Sequence, residues 1–157
     1  MTDTPLWQPS PDRIAQANVT RFMAELEKRH SAKTGDFPAL WQWSVDHSPE
    51  FWDLVWDYCG VIGEKGGGEK GGRILIDADR MPGAQFFPDA TLNFAENLLR
   101  KNDETDAIIF WGEDKVKRRL SWRDLNEAVS RLAQALKAEG VEKGDRVAAY
   151  MPNLPET

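Results

Sequence analysis

The sequence predicts a mixed α+β fold, in which a helical N-terminal part precedes a β-hairpin, a helix and a strand. Apolar and aromatic residues recur three and four positions apart over the first sixty residues, which is the spacing of a core-facing helix. After Asp106 the apolar residues come in short runs bounded by glycine and aspartate, which is typical of strands and turns. A helix and a strand then follow with a short turn between them, an order that begins a parallel α/β layer.

The composition narrows the class of protein. The chain has 157 residues, about one domain in length, of which 41% are hydrophobic and 29% charged, as in ordinary globular proteins. The net charge of −6 argues against nucleic acid or an anionic membrane as the main partner, because both select basic surfaces. Residues 1–5 lack the basic start of a secretory signal, and no apolar run is long enough to cross a bilayer. We therefore expect a cytoplasmic protein.

Three helices are predicted in the N-terminal part. Ser10, followed by proline, is a predicted helix start, because its hydroxyl can accept from first-turn N–H groups. This helix should end near His30. Asp36 and Ser48 are the predicted N-caps of the second and third helices, and Gly60 is the predicted end of the third. The predicted core-facing residues of the first helix are Ala15, Val19, Phe22, Met23 and Leu26.

Four of the seven tryptophans lie in the second and third predicted helices. They are Trp41, Trp43, Trp52 and Trp56. An exposed aromatic cluster could stack a base or an adenine ring. The helical spacing instead favours burial, because large aromatic side chains dominate the energetics of a core. Cys59 continues the same face, and we expect it to be buried and inert.

The run from Gly63 to Gly72 is the one low-complexity segment. Bare glycine N–H groups can cradle phosphates, but a Walker loop requires a lysine and then a serine or threonine after its second glycine. Here Gly68 is followed by Glu69, and no hydroxyl residue follows. The sequence therefore predicts a flexible, solvated loop, with a phosphate site as the weaker alternative.

Residues 74–76 are a predicted strand, and residues 77–83 are a predicted turn. Asp77 and Asp79 are spaced as in the start of a calcium loop, but the later acids and the closing glutamate of such a loop are missing. We therefore expect a structural turn.

Residues 86–100 are predicted to start extended and to continue as a short helix capped by Asn93. Phe94, Leu98 and Leu99 would share one face of it. Such a helix is too short to be stable alone, so we expect it to be buried as a plug between the two parts of the chain. The polar residues 101–105 predict a boundary.

The C-terminal part predicts a hairpin and a further strand. Residues 107–110 and 116–120 are the two strands of the hairpin, joined by a turn over 112–115. Residues 146–150 are a predicted strand that enters a sheet and ends before Pro152.

A long helix is predicted between the hairpin and that strand. Ser121 and Asp124 form a predicted capping box at its start, and Gly140 supplies a left-handed cap at its end. Glu127 and Arg131 should pair across one turn. Its predicted apolar stripe is Leu125, Val129, Leu132 and Leu136.

The residues that could carry chemistry are few. His30, His47 and Cys59 are the only histidines and the only thiol, which is too few for a zinc or thiolate metal centre. We expect His47 to make a structural hydrogen bond. Asp145 and Arg146 could form an active-site pair, but a turn-stabilising ion pair is the default expectation.

Several motifs resemble the AMP-forming acyl-CoA synthetases of the adenylate-forming superfamily. The last helix and strand carry Ser121-Trp122, Gly140-Val141 and Gly144-Asp145-Arg146-Val147, followed by Met151-Pro152-Asn153-Leu154-Pro155-Glu156. The tryptophan-rich segments 40–45 and 51–57 resemble the N-terminal region of the same enzymes. Within the superfamily, residues 92–99 resemble acetoacetyl-CoA synthetases more than acetyl-CoA synthetases.

The resemblance implies a two-part organisation and an activity for a longer parent. Residues 1–100 would be an N-terminal helical and aromatic cap, and residues 101–157 the start of an AMP-binding adenylation domain. The parent would use ATP, magnesium and CoA to convert acetoacetate to acetoacetyl-CoA, AMP and diphosphate. In the family the phosphate loop, the ribose-binding aspartate and the catalytic lysine lie further along the chain. This α+β fragment should therefore contain no catalytic, cofactor-binding or metal residue, and should act as a scaffold for the remainder of the adenylation domain.

Two alternatives remain open at this stage. One is that the parent is an acetyl- or propionyl-CoA synthetase. The other is that the chain is a stand-alone module that binds a protein through its tryptophan-rich helices. In a fragment of either synthetase the strand 146–150 would lack sheet neighbours, so we expect self-association through its unpaired edge.

Overall fold

The computed structural model describes residues 5–68 and 71–157. The expectation drawn from residues 1–4, and Glu69 in the test for a phosphate loop, lie outside the described residues. The chain divides into two compact units, Met1–Asn93 and Phe94–Thr157. In the described part, no helix combines the length and the apolar character needed to span a membrane.

Among the described residues, the first unit has four helices and a small hairpin, and the second has two helices and a longer hairpin. The first unit holds α1 (Pro11–Ala15), α2 (Asn18–His30), α3 (Phe37–Asp46), α4 (Ser48–Tyr58), β1 (Leu75–Ile76) and β2 (Gln85–Phe86). The second unit holds α5 (Phe94–Leu98), β3 (Asp106–Gly112), β4 (Val116–Ser121) and α6 (Trp122–Ala138).

The first predicted helix is split into α1 and α2. The hydroxyl of Ser10 accepts from the N–H of Arg13 at 3.3 Å, which confirms the predicted cap. Ala17 then has an extended backbone (φ −66°, ψ 142°) and interrupts the helix. The spacing of the apolar residues does not predict this break. The end at His30 is confirmed, since Ser31 adopts the left-handed conformation with φ 54°.

The starts of α3 and α4 test two similar predictions with different outcomes. The carboxylate of Asp36 accepts from the N–H of Ala39 at 2.9 Å, so this cap is confirmed. The predicted cap at Ser48 is wrong, because His47 is the N-cap and Ser48 is already helical. At the other end, Gly60 (φ 60°) ends α4 as predicted, and the N–H of Val61 bonds the carbonyl of Trp56 at 3.0 Å.

The core of the first unit lies where α2, α3 and α4 meet. Leu26, Leu40 and Leu54 are buried there together with Ala32. The ring of Phe22 packs edge-on at its border against Phe51 and Tyr58, at 5.7 and 5.1 Å between centroids.

Burial of the tryptophan cluster is confirmed only in part. Trp56 is buried and Trp43 half-buried, but Trp41 and Trp52 are 58% and 40% exposed. Cys59 is also exposed. The prediction for Cys59 is wrong because this residue is the C-cap of α4, beyond the part of the helix that faces the core.

The small hairpin pairs Leu75 with Phe86 and Ile76 with Gln85. The predicted turn between its strands is confirmed, with the N–H of Arg80 bonded to the carbonyl of Asp77 at 3.0 Å. The sequence does not predict the second strand, because two residues carry too little periodicity to indicate one.

The second unit confirms the hairpin and the caps of the long helix. Strands β3 and β4 pair antiparallel from Asp106↔Ser121 to Gly112↔Val116. The capping box of Ser121 and Asp124 is present, and Glu127 pairs with Arg131 at 3.6 Å. Gly140 (φ 82°) ends the helix region, as predicted.

Two predictions for this unit are wrong. Phe94 and Leu98 of α5 are 72% and 56% exposed, so this helix is not a buried plug. Residues 146–150 form no strand in the described chain. The predicted apolar stripe of α6 lies on the helix, but Leu132 within it is 61% exposed. In each case the local pattern indicates which face is apolar but does not supply the surface that would cover or pair with it.

Candidate functional site

A cavity of the first unit lies where α2 ends, α4 begins and the glycine-rich loop passes. Its volume is about 690 Å³. The side chains that line it include His30, Glu50, Asp53, Glu64 and Lys65, and bare backbone of Gly66 and Gly72 forms another wall. Three carboxylates therefore face one ammonium group in this space.

Lys65 is the centre of an ion-pair network at this cavity. Its Nζ donates to Oδ1 of Asp53 at 2.5 Å and to Oδ1 of Asp57 at 2.7 Å. Asp57 also accepts from Arg29 at 2.8 Å, and Arg29 in turn donates to Glu25 at 2.8 Å. The network therefore connects α2, α4 and the start of the glycine-rich loop.

The network shifts the pKa of Lys65 and that of Asp57. Partial burial opposes the charged form of Lys65, but hydrogen bonds to Asp53 and Asp57 outweigh it, so the pKa of Lys65 is raised. The hydrogen bond from Lys65 lowers the pKa of Asp57, with a further contribution from Arg29. Lys65 thus stays protonated, but two carboxylates already balance its charge, so it would attract a phosphate only weakly.

The glycine-rich loop is fastened to the segment that follows the small hairpin. The backbones of Glu64 and Thr91 exchange hydrogen bonds at 2.8 and 2.9 Å. Beyond the loop, the guanidinium and backbone N–H of Arg73 both donate to the carboxylate of Asp89. These bonds lower the pKa of Asp89, chiefly through the Arg73 side chain. The described part of the loop therefore makes specific contacts on both sides, which its composition does not indicate.

The two histidines pack against one tryptophan. The ring of His47 stacks on Trp43 at 4.9 Å between centroids and 8° between planes, and His30 contacts the same indole at 5.4 Å. For His47 the described side-chain contact is this stack, and the expected structural hydrogen bond stays a prediction. The arrangement joins the end of α2 to α3 and the start of α4.

The two acidic candidates make local contacts. Asp77 pairs with Arg80 at 3.2 Å within its turn. Asp145 accepts from the backbone N–H of Glu142 at 2.9 Å, so it stabilises the turn through the backbone. The expected ion pair with Arg146 is wrong, because none is found among the described residues. Across residues 5–68 and 71–157, no group of three or more His, Cys, Asp or Glu residues could hold a metal ion.

The second unit has a cavity of about 490 Å³ along α6. Its floor is apolar, with Leu125, Val129 and Leu132 on the helix, and residues 155–157 form its rim. Arg118 pairs with Glu156 near this rim, and this hydrogen bond raises the pKa of Arg118 and lowers that of Glu156. This cavity can bury apolar groups, and its polar lining comprises Asp124, Arg131, Glu156 and Thr157.

Sequence reasoning missed the role of Lys65 and Asp57. The alternating charges of the loop indicate a solvated segment, whereas the partners of Lys65 lie eight and twelve residues away on a helix. No local periodicity encodes such a pairing, because it depends on where the chain returns.

The match to a known family covers the same residues as the second unit. Residues 94–157 match the family model described as AMP-binding enzyme. Over 155 residues, 99% of this chain and 23% of the relative, the chain is 50% identical to the acetoacetyl-coenzyme A synthetase of Rhizobium meliloti (strain 1021). Over residues 94–157, this chain is therefore similar to AMP-binding enzymes.

Two further synthetases are similar to almost the whole chain. The chain is 32% identical over 156 residues to the acetoacetyl-CoA synthetase of Xenopus tropicalis, covering 97% of this chain and 22% of the relative. Its structure matches that of the acetoacetyl-CoA synthetase from Streptomyces lividans with a TM-score of 0.81 and 41% identity, over 98% of this chain and 24% of that one. The chain thus spans about a quarter of the length of the relatives it matches.

Proposed function

We propose that this chain is the N-terminal part of an AMP-forming acid–thiol ligase that converts acetoacetate, ATP and CoA to acetoacetyl-CoA, AMP and diphosphate. The observation that carries the proposal is the 50% identity to an acetoacetyl-coenzyme A synthetase across almost the whole chain. The motifs in residues 40–57, 92–99 and 121–156 lie within this matched region.

The proposed reaction has two steps. A carboxylate oxygen of the acid attacks the α-phosphorus of ATP, and diphosphate leaves. The sulfur of CoA, having lost its proton, then attacks the acyl carbon, and AMP leaves. Both steps need donors and cations placed where negative charge develops. We infer that the groups that bind ATP, magnesium and CoA belong to the rest of the parent.

Within this chain we assign no catalytic, cofactor-binding or metal-binding residue, and we propose a scaffolding role. The electrostatics of the larger cavity support this role. Lys65 is already held by two carboxylates, while Glu50 and Glu64 line the same space. A triphosphate placed there would face like charge without a compensating cation.

Calorimetric titration of the 157-residue chain with ATP and magnesium tests the scaffolding role. We expect no heat of binding up to millimolar nucleotide. Saturable binding at micromolar ATP would overturn the scaffolding role, while leaving the acid used by the parent undecided.

An activity assay of the full-length parent tests the substrate. AMP release is measured with acetoacetate, acetate and propionate as alternative acids. We expect the highest kcat/KM with acetoacetate. A preference for acetate or propionate would instead favour the acetyl- or propionyl-CoA synthetase alternative.

We further propose that the partner of this chain is the remainder of the adenylation domain, with residues 1–100 as a cap and residues 101–157 as the start of that domain. The family match supports this division, since it begins at residue 94. We propose a cytoplasmic location, no nucleic-acid or membrane partner, and self-association when apolar surface of the second unit is left uncovered. Exposed Val147 and Tyr150, in the unpaired segment 146–150, support the last point.

A stand-alone protein-binding module is the second candidate function. It is favoured by the outer side of α3, where Phe37, Trp41 and Val45 lie four residues apart and are 66%, 58% and 55% exposed. Iodide quenching of tryptophan emission in the full-length parent and in this chain discriminates. If Trp41 emission is protected in the parent alone, the face is covered within the enzyme. Equal quenching in both would favour the module.

A further inference from the structure

We propose that Lys65 is a latch: its ammonium group holds the start of the glycine-rich loop on α4, and through Asp57 it couples the loop to α2. This inference is independent of the proposed activity. It concerns a conformational device within the first unit, and it assigns a role to a segment whose composition alone indicates a solvated linker.

The geometry of the latch is that of a partly buried, bidentate cation. The side chain of Lys65 is 26% exposed, and its Nζ lies 2.5 Å from Asp53 and 2.7 Å from Asp57. Asp53 and Asp57 are one helical turn apart on α4, so both carboxylates point to the same side. A single lysine can therefore bind both, which fixes its position along the helix as well as its distance from it.

The backbone on either side of the latch approaches other backbone too closely for any side chain. A Cβ on Gly66 would fall on the carbonyl of Asp89, and a Cβ on Gly72 would fall on the carbonyl of Lys65, both inside the 3.0 Å that real Cβ atoms keep. The described segments 64–68 and 71–73 thus run side by side at Lys65. Holding this one residue fixes where the chain leaves α4 and where it returns.

Asp57 transmits the constraint to α2. It accepts from Arg29 at 2.8 Å as well as from Lys65, whereas within the described chain Asp53 forms an ion pair with Lys65 alone. The other charged groups of the cavity, Glu50 and Glu64, leave the surroundings of Lys65 negative. Removing the ammonium would leave Asp53 without its ion-pair partner and Asp57 with Arg29 alone. The remaining repulsion among the carboxylates would then favour separation of the loop from the helix.

Hydrogen exchange measured by mass spectrometry on the intact 157-residue chain tests the latch. Lys65→Met should accelerate exchange of the amides in residues 61–68 about ten-fold or more, since local opening becomes easier. Lys65→Arg, which keeps a cation, should retain most of the protection. Lys33→Met removes an exposed lysine of the same unit and is the matched control. Circular dichroism verifies that each variant keeps its helices.

Coupling is tested with the two carboxylates. Asp53→Asn should accelerate exchange in residues 61–68 only, whereas Asp57→Asn should also accelerate exchange at the end of α2, around Arg29. The hairpin and α6 of the second unit serve as internal reference and should not change. Unchanged exchange in 61–68 for Lys65→Met would overturn the latch, and identical patterns for the two aspartate variants would overturn the coupling.

Discussion

Gly66 lies at a position where both the backbone conformation and the available space favour glycine. Its φ of +78° lies in the region that residues with a side chain rarely adopt, and a Cβ there would collide with the carbonyl of Asp89. Gly68 shares the positive φ, at +57°, but a Cβ added to it would meet no atom within 4 Å. Substitution of Gly68 therefore measures the free-energy cost of the positive φ alone, and substitution of Gly66 adds the cost of the collision.

We predict that Gly66→Ala destabilises the first unit by about 3 kcal/mol or more, because strain at positive φ and a backbone collision add. Gly68→Ala should cost about 1 kcal/mol, from the positive φ alone. Gly35→Ala, with ordinary φ and open space, should be neutral or slightly stabilising. Urea unfolding followed by tryptophan emission measures all three. Equal losses for Gly66 and Gly68 would contradict the close approach at Asp89.

The bond between Arg73 and Asp89 makes the stability of the first unit depend on pH. Hydrogen bonds from Arg73 hold the pKa of Asp89 well below its ordinary value of 3.8 in the folded chain. A carboxyl with a lowered folded pKa stabilises the fold above its unfolded pKa, and this contribution is lost as the pH falls through the folded pKa. The Tm of wild type should therefore exceed that of Asp89→Asn at pH 7.

This difference in Tm should begin to shrink as the pH falls below about 4, where the unfolded carboxyl takes up its proton. Thermal melts at pH 7, 5, 4 and 3 provide the measurement. Asp79→Asn, a charge-matched change in the neighbouring turn, shows how much of the trend reflects net charge. A constant Tm difference from pH 7 to pH 3 would show that Asp89 does not act through its charge.

The first residue of a helix can be predicted from the local sequence in one case here and not in another. The capping box of Ser121 and Asp124 was predictable because both partners lie within one turn of the chain. Ser48 is followed by a proline, as the N-cap Ser10 is, but it lies one residue too late to cap α4. The difference arises from the connection at His47, which ends α3 and begins α4 at once. A serine pattern alone cannot indicate that shared residue.

We predict that Ser121→Ala destabilises the second unit by about 1 kcal/mol, because the N–H of Asp124 loses its hydroxyl partner. Ser48→Ala should change the stability of the first unit by less than about 0.5 kcal/mol, since Ser48 makes no cap bond. Denaturant unfolding followed by circular dichroism at 222 nm gives both values. A loss of stability in Ser48→Ala as large as that in Ser121→Ala would show that Ser48 does cap α4, contrary to the structure.

Elements whose contacts lie between neighbouring segments were predictable from the sequence, and elements that need a distant partner were not. The hairpin of β3 and β4 forms between neighbouring segments, and its turn lies within its own sequence. Residues 146–150 have a similar apolar character but pair with no strand in the described chain. The same reasoning covers the latch, because Lys65 and its partners on α4 meet only after the chain has folded back.

At the scale of the whole molecule, the chain exposes more surface than its mass requires. Its accessible surface is 13027 Å², whereas two separate globular domains sharing 17.8 kDa would expose about 9,600 Å². The described core is correspondingly small and centres on Leu26, Leu40 and Leu54. Apolar periodicity predicted which faces are apolar, but only the rest of a fold decides which of them are covered.

The exposed faces should make this chain associate, and α6 is the stronger candidate. Leu132 is 61% exposed beside the half-buried Leu125 and Leu136, and the adjoining cavity has an apolar floor. We predict that static light scattering of the wild-type chain rises above the monomer mass as concentration increases, because burying this stripe between copies removes apolar area from water. Leu132→Glu should restore the monomer mass. Trp41→Glu, which places the same charge on the exposed face of α3 in the first unit, is the matched control and should leave association largely intact. If Trp41→Glu alone abolishes association, the contact lies on α3, and the uncovered face of α6 is not what drives it.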